Sequence, residues 1–112
     1  MTRNQQWANR ALERILAAKQ TPAKDDYKAL AMKLPVLLQQ SGLAQALVFV
    51  ASRGPVGLQI LDDLASVYGK AGGSALREDA QRAALPQYLA LTRDMIECAV
   101  WLRRFTQIEL GN

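Results

Sequence analysis

Apolar residues recur three and four positions apart along most of this chain, a rhythm that predicts one helix after another. The first is predicted from about Thr2 to Gln20, with Trp7, Ala8, Ala11, Leu12, Ile15 and Leu16 on one stripe and Thr21-Pro22 ending it. Arg3, Arg10 and Arg14 are expected on its solvent side. The second begins near Lys24 to Asp26, whose acidic residues suit the positive end of the helix dipole. It buries Tyr27, Leu30, Ala31, Leu34, Leu37 and Leu38. Pro35 lies inside this pattern and disfavours helical geometry at Leu34, so a kink or break is expected there. Gly42 is expected to cap the helix in the left-handed conformation.

Leu43 to Arg53 is nearly all apolar. Its Leu-Val-Phe-Val run would suit a buried strand, but the chain offers no second strand to pair with it. A central, largely buried helix is therefore expected, stopped by Gly54-Pro55. A fourth helix follows from about Val56 to Lys70, burying Leu58, Leu61, Leu64, Ala65 and Tyr68. Residues 70–86 are polar and glycine-containing, consistent with either a short helix or a mobile connection. Pro86 is placed for the first turn of a long last helix reaching about Leu110. Its inward stripe is Tyr88, Leu91, Thr92, Met95, Cys98, Ala99, Leu102 and Phe105, with Arg93 and Glu97 pairing outside. Trp101 falls off that stripe and is assigned to the core, a partner contact being the other reading. The expected architecture is all-α: a single domain over 1–112 forming a bundle of five to six helices, with 43–53 at its centre.

Composition narrows the chemistry. The 112 residues include no histidine and one cysteine, which removes the commonest acid/base catalyst and any structural zinc site. No catalytic residue, metal or cofactor is expected. Asp25-Asp26 and Asp62-Asp63 are read as capping and solubility charges. Cys98, with no histidine beside it, is read as an inert packing thiol. No signal peptide or membrane-spanning run is evident, so a cytoplasmic protein without a membrane role is expected. The net charge is +4, unevenly placed: residues 1–56 carry eight Lys/Arg against three Asp/Glu, and residues 57–112 six against seven. That asymmetry suits a polyanion on one face and protein on another.

Two blocks carry a resemblance. Lys33-Leu34-Pro35 followed by Gly42-Leu43-Ala44-Gln45-Ala46-Leu47-Val48-Phe49 resembles the most recognisable stretch of the small α-helical subunit of the Cmr (type III-B) CRISPR effector complex. Tyr88, Thr92, Asp94 and the run Trp101-Leu102-Arg103-Arg104-Phe105 resemble the last helix of that family, with Asp94 where the family tends to have glutamate. The resemblance implies a non-catalytic subunit that stacks with further copies of itself into a filament. That filament would lie beside the guide-RNA-bound backbone subunit, among the other subunits of the complex. It also implies contact with target RNA paired to guide RNA, in antiviral defence, with cleavage left to other subunits.

Such a protein needs cations on rigid helices rather than base-reading groups or stacking platforms. The few aromatics, Trp7, Trp101, Phe49 and Phe105, are assigned to packing, which disfavours a stacking-based single-strand binder. Arg10, Arg14, Lys28, Lys33, Arg53 and Arg104 are the candidates for phosphate contact; Lys33 and Arg104 lie within the resembling blocks, and the others follow from face and charge. Two alternatives remain at this level. Gln40-Ser41-Gly42-Leu43 between two helices also resembles the turn of a helix-turn-helix DNA-binding regulator, although the following helix is too apolar to read bases. A helical protein–protein adaptor without nucleic acid is the other.

Overall fold

Six helices make up the described residues, 1–111, in the computed structural model of the chain. Thr2 starts α1 (Arg3–Lys19) with a reciprocal cap: Gln5 N–H donates to Thr2 Oγ1 at 3.1 Å, and Thr2 N–H donates to Gln5 Oε1 at 2.7 Å. Trp7, Ala11, Ile15 and Ala18 form its buried stripe, spaced for one helix face. Asp25 and Asp26 occupy the first turn of α2 (Lys24–Ser41), as the dipole argument requires. This helix runs on through Pro35 without a break. Pro35 is itself buried, and its packing in the core offsets the hydrogen bond it cannot donate to the preceding turn.

The Gly42 N–H donates to the Leu38 carbonyl at 3.1 Å, closing α2. Gly42 has a positive φ as expected of a helix-ending glycine, but ψ is 162°, extended rather than left-handed helical. That combination is nearly confined to glycine. It re-aims the backbone at once into α3 (Leu43–Ala51).

The all-α class and the helix number agree with the sequence; the placement of α3 does not. α3 buries Leu43, Ala46, Leu47 and Val50, but Val48 is 54% and Phe49 45% exposed. A nine-residue helix contacting its neighbours on one side covers only one face, whatever its mean hydropathy. The central helix is instead α4 (Gly54–Tyr68), which packs on all five others; the longest helix, α6 (Leu85–Glu109), packs on α1, α2 and α4. The buried residues of α6 are Leu91, Met95, Cys98, Ala99, Leu102 and Thr106, while Tyr88 and Phe105 are half-buried. Each fully buried leucine of this core contributes roughly 1.5–3 kcal/mol. Burial also pushes the Cys98 thiol well up from its ordinary value, as a packing residue requires.

The polar segment after α4 is a helix, α5 (Gly73–Arg82), which seats Leu76 and Ala80 against α4. Asp62 Oδ1 accepts the Gly73 N–H at 2.8 Å, so this carboxylate ties the start of α5 to α4. Leu16 and Leu58, expected inside, are 42% and 47% exposed. On α4 the inward face is shifted toward Gly57, Ile60, Leu64 and Val67, and it carries Asp63 inside where a leucine-based stripe expects only apolar groups. Glu97 lies 3.9 Å from Arg3, rather than pairing with Arg93. No helix among the described residues is long and apolar enough to cross a membrane.

Candidate nucleic-acid interface

The tight corner between α3 and α4 builds an exposed basic site. Ser52 Oγ donates to the Phe49 carbonyl at 2.6 Å, and Arg53 N–H donates to the Val50 carbonyl at 3.0 Å, winding up the end of α3. Gly54, at φ 78°, then turns the chain, and Pro55 pre-sets the first turn of α4. The corner closes tightly because position 57 has no side chain: a Cβ there would sit 1.9 Å from the Val50 carbonyl oxygen. Arg53 is thereby left on the outside, its guanidinium 5.6 Å from the centre of the Phe49 ring.

Facing this corner is the outer side of α2. Lys33 from α2 and Arg53 from the corner line one open concavity of about 750 Å³, together with Asp26, Phe49, Ser52 and Val56. Among the described residues neither cation makes an ion pair. Two cations against the single Asp26 carboxylate leave the concavity positive. Such a surface suits an anionic ligand that replaces the cations' water.

The other four sequence candidates lie elsewhere. Arg10 donates to the Val67 carbonyl at 3.1 Å, and Lys28 Nζ donates to the Gly111 carbonyl at 3.0 Å. Arg14 lies 3.9 Å from Asp63, so α1 turns two of its three arginines toward α4 rather than all three to solvent. Arg104 stacks over Trp101 at 5.1 Å beside a separate small concavity lined by Asn4, Ile96, Glu97 and Val100. Trp101, half-buried, packs parallel to Phe105 with ring centres 6.0 Å apart. The fold thus brings Lys33 and Arg53 together, leaves Arg104 apart, and gives Arg10, Arg14 and Lys28 partners within the chain.

Asp63 is a polar residue that sequence reasoning misplaced. It is 2% exposed, accepts the Tyr27 hydroxyl at 2.5 Å and the Gln59 amide at 2.8 Å, and has Arg14 on its open side. Burial raises its carboxyl above the usual range, while the bonds from Tyr27 and Gln59 and the Arg14 charge pull the other way. Tyr27 is pushed up from its ordinary value by burial and by the adjacent carboxylate. The cluster pins α1, α2 and α4 together and spends the Arg14 charge internally. Phe49 was the other misplacement, assigned to packing. The signal was available: buried positions 43, 46, 47 and 50 define one face of α3, and 48 and 49 fall off it.

The sequence matches the model of the CRISPR-associated protein family Cas_Cmr5 over residues 3–109. This chain belongs to the Cmr5 family. It is 45% identical, over 107 residues, to the CRISPR system Cmr subunit Cmr5 of Thermus thermophilus, covering 95% of this chain and 94% of that one. The fold is similar to the X-ray crystal structure of a CRISPR-associated Cmr5 family protein from Thermus thermophilus, with a TM-score of 0.95, 42% identity and 98% of each chain covered. The Cmr5 architecture therefore accounts for essentially the whole chain, including α5. Among the described residues no three His, Cys, Asp or Glu side chains gather as a metal site would require.

Proposed function

We propose that this Cmr5-family chain acts as a non-catalytic small subunit of a type III-B Cmr ribonucleoprotein. In that role it holds target RNA through phosphate contacts from Lys33 and Arg53, with Arg104 as a separate contact. The observation that carries the RNA reading is the convergence on one concavity of two cations that make no ion pair among the described residues. Family membership supports the subunit role, since the Thermus thermophilus relative is named a Cmr subunit. In guide-directed complexes base pairing supplies sequence specificity, and protein cations grip the backbone. Copies of the chain stack beside the backbone subunit by a head-to-tail contact, the kind that propagates rather than closes. Leu85, Leu89 and Ile108, 68%, 57% and 70% exposed on α6, supply apolar surface for that contact. The helix-turn-helix reading gains nothing from the fold, because the open side of α3 presents Val48 and Phe49.

The test is the double variant Lys33→Glu/Arg53→Glu in a reconstituted complex, with target-RNA affinity measured across a salt series. Losing two phosphate contacts flattens the slope of log K against log salt by about 1.4–1.8 and weakens binding. Both side chains are exposed, so the melting temperature of the subunit stays where it was. An unchanged affinity and slope would remove Lys33 and Arg53 from the RNA path.

A further inference from the structure

A cation pair accounts for the charge of the concavity but not for the aromatic ring in its lining. Phe49 is 45% exposed, beside an equally open Val48, on a helix whose other face is completely buried. Exposing a ring of this size forfeits burial energy that the core does not recover. The ring also lines a second, adjoining concavity of about 450 Å³ with Ser41, Ala44, Gln45 and Val48. Gln45, Val48, Phe49 and Ser52 follow one another at helical spacing, giving α3 an open face with an amide, an aliphatic wall, a ring and a hydroxyl. The Arg53 guanidinium lies 5.6 Å from the ring centre, so a positive charge stands beside whatever the ring holds.

From this arrangement we infer that Phe49 is a stacking platform for an unpaired base, so that the concavity receives one nucleotide of single-stranded RNA. The inference rests on the RNA reading above and deepens it. The base lies on the Phe49 ring, and its phosphate is held by Lys33 and Arg53. Bases within a duplex have both faces covered by their neighbours, so only an unpaired or splayed base can present a face to a protein ring. A basic track combined with an aromatic platform is the arrangement that single strands require. Asp26, in the same lining, repels a second phosphate and can accept a hydrogen bond from a base amine or a ribose hydroxyl.

The test uses the full-length chain and three synthetic probes of one length: oligoadenylate, the same backbone with abasic ribose replacing alternate adenines, and the corresponding RNA duplex. A 2-aminopurine in the oligoadenylate reports stacking by quenching of its fluorescence. The expected ranking is oligoadenylate above the abasic strand and above the duplex, with quenching on binding. Phe49→Ala and Phe49→Leu each weaken oligoadenylate by about 5- to 150-fold and abolish the quenching, without altering the salt slope. Leucine keeps the apolar volume and loses only the ring, so a shared loss separates stacking from folding. If the Phe49 variants bind all three probes as the parent chain does while Lys33→Glu/Arg53→Glu weakens them, the stacking site is overturned and the phosphate reading stands. If no probe binds the parent chain, or neither set of variants alters binding, the stacking site is overturned, and the salt series on the reconstituted complex decides the phosphate reading separately.

Discussion

Removing one oxygen from Tyr27 tests the buried polar cluster most directly. Tyr27→Phe leaves the ring in place between α2 and α4 but deletes the hydroxyl that donates to Asp63 Oδ2 at 2.5 Å. Asp63 keeps the Gln59 amide at 2.8 Å and the more distant Arg14 at 3.9 Å. A hydrogen bond to a buried charged group is worth roughly 1.5–3 kcal/mol, so the variant should lose about that much at neutral pH. For a chain of this size the loss corresponds to about 6–12 °C in melting temperature.

The pH dependence has a definite sign. Burial raises the Asp63 carboxyl in the folded state. Its contribution is therefore most favourable below the unfolded carboxylate range and declines as pH rises through the folded value. Taking away the Tyr27 hydroxyl removes a bond that favours the ionised form, raising the carboxyl further. The deficit of the variant should thus be largest at about pH 8 and shrink as pH falls through the folded value, where the folded carboxyl becomes neutral in parent and variant alike. Urea unfolding of parent and variant across that range, followed by circular dichroism, measures it. A deficit that is pH-independent, or smaller than about 0.5 kcal/mol at pH 8, would refute the assignment of Asp63 as a buried charge held by Tyr27.

Gly57→Ala places a methyl 1.9 Å from the Val50 carbonyl oxygen and must part α3 from α4. The expected cost is about 1–3 kcal/mol in urea unfolding, and a change within about 0.5 kcal/mol would show that the corner is not closed as described. Leu85→Asp with Leu89→Asp leaves the core intact, since both residues are exposed, and should lower the number of copies per reconstituted complex seen by native mass spectrometry. An unchanged copy number would remove that part of α6 from the stacking contact.

Helix positions were legible because each stripe repeats at the helical period and several ends carry their own stop: Thr21-Pro22, Gly42 and Gly54-Pro55. The fourth helix, expected to about Lys70, ends at Tyr68, where Gly69 caps it in the left-handed conformation. Which face of each helix turns inward was less legible. Mean hydropathy placed α3 at the centre, yet its burial depends on what packs against it, and a nine-residue helix touching neighbours on one side leaves Phe49 out. The same limit applies to charge. Arg14 and Asp63 are 49 positions apart in the chain, and only the packing of α1 on α4 brings them together. Adjacent Asp62 and Asp63 look alike in sequence but point to opposite duties, one binding the start of α5 and one buried against Tyr27. Lys33 and Arg53 were identified singly, and their meeting in one concavity is a property of the α2–α3 turn at Gly42.

The length and position of α6 govern the timing of folding during synthesis. Its 25 residues extend roughly 37 Å at 1.5 Å per residue. That nearly equals the 39 Å longest dimension of the molecule. It is also the last of the six helices in chain order, and it covers the apolar stripes of α1, α2 and α4. Until it leaves the ribosome the parts of those stripes that it covers remain open, and at about 5–20 residues per second its emergence takes about 1–5 s. The nascent chain therefore passes through an interval of exposed apolar surface. The basic concavity of α2, α3 and α4 is translated before the bundle can close behind it.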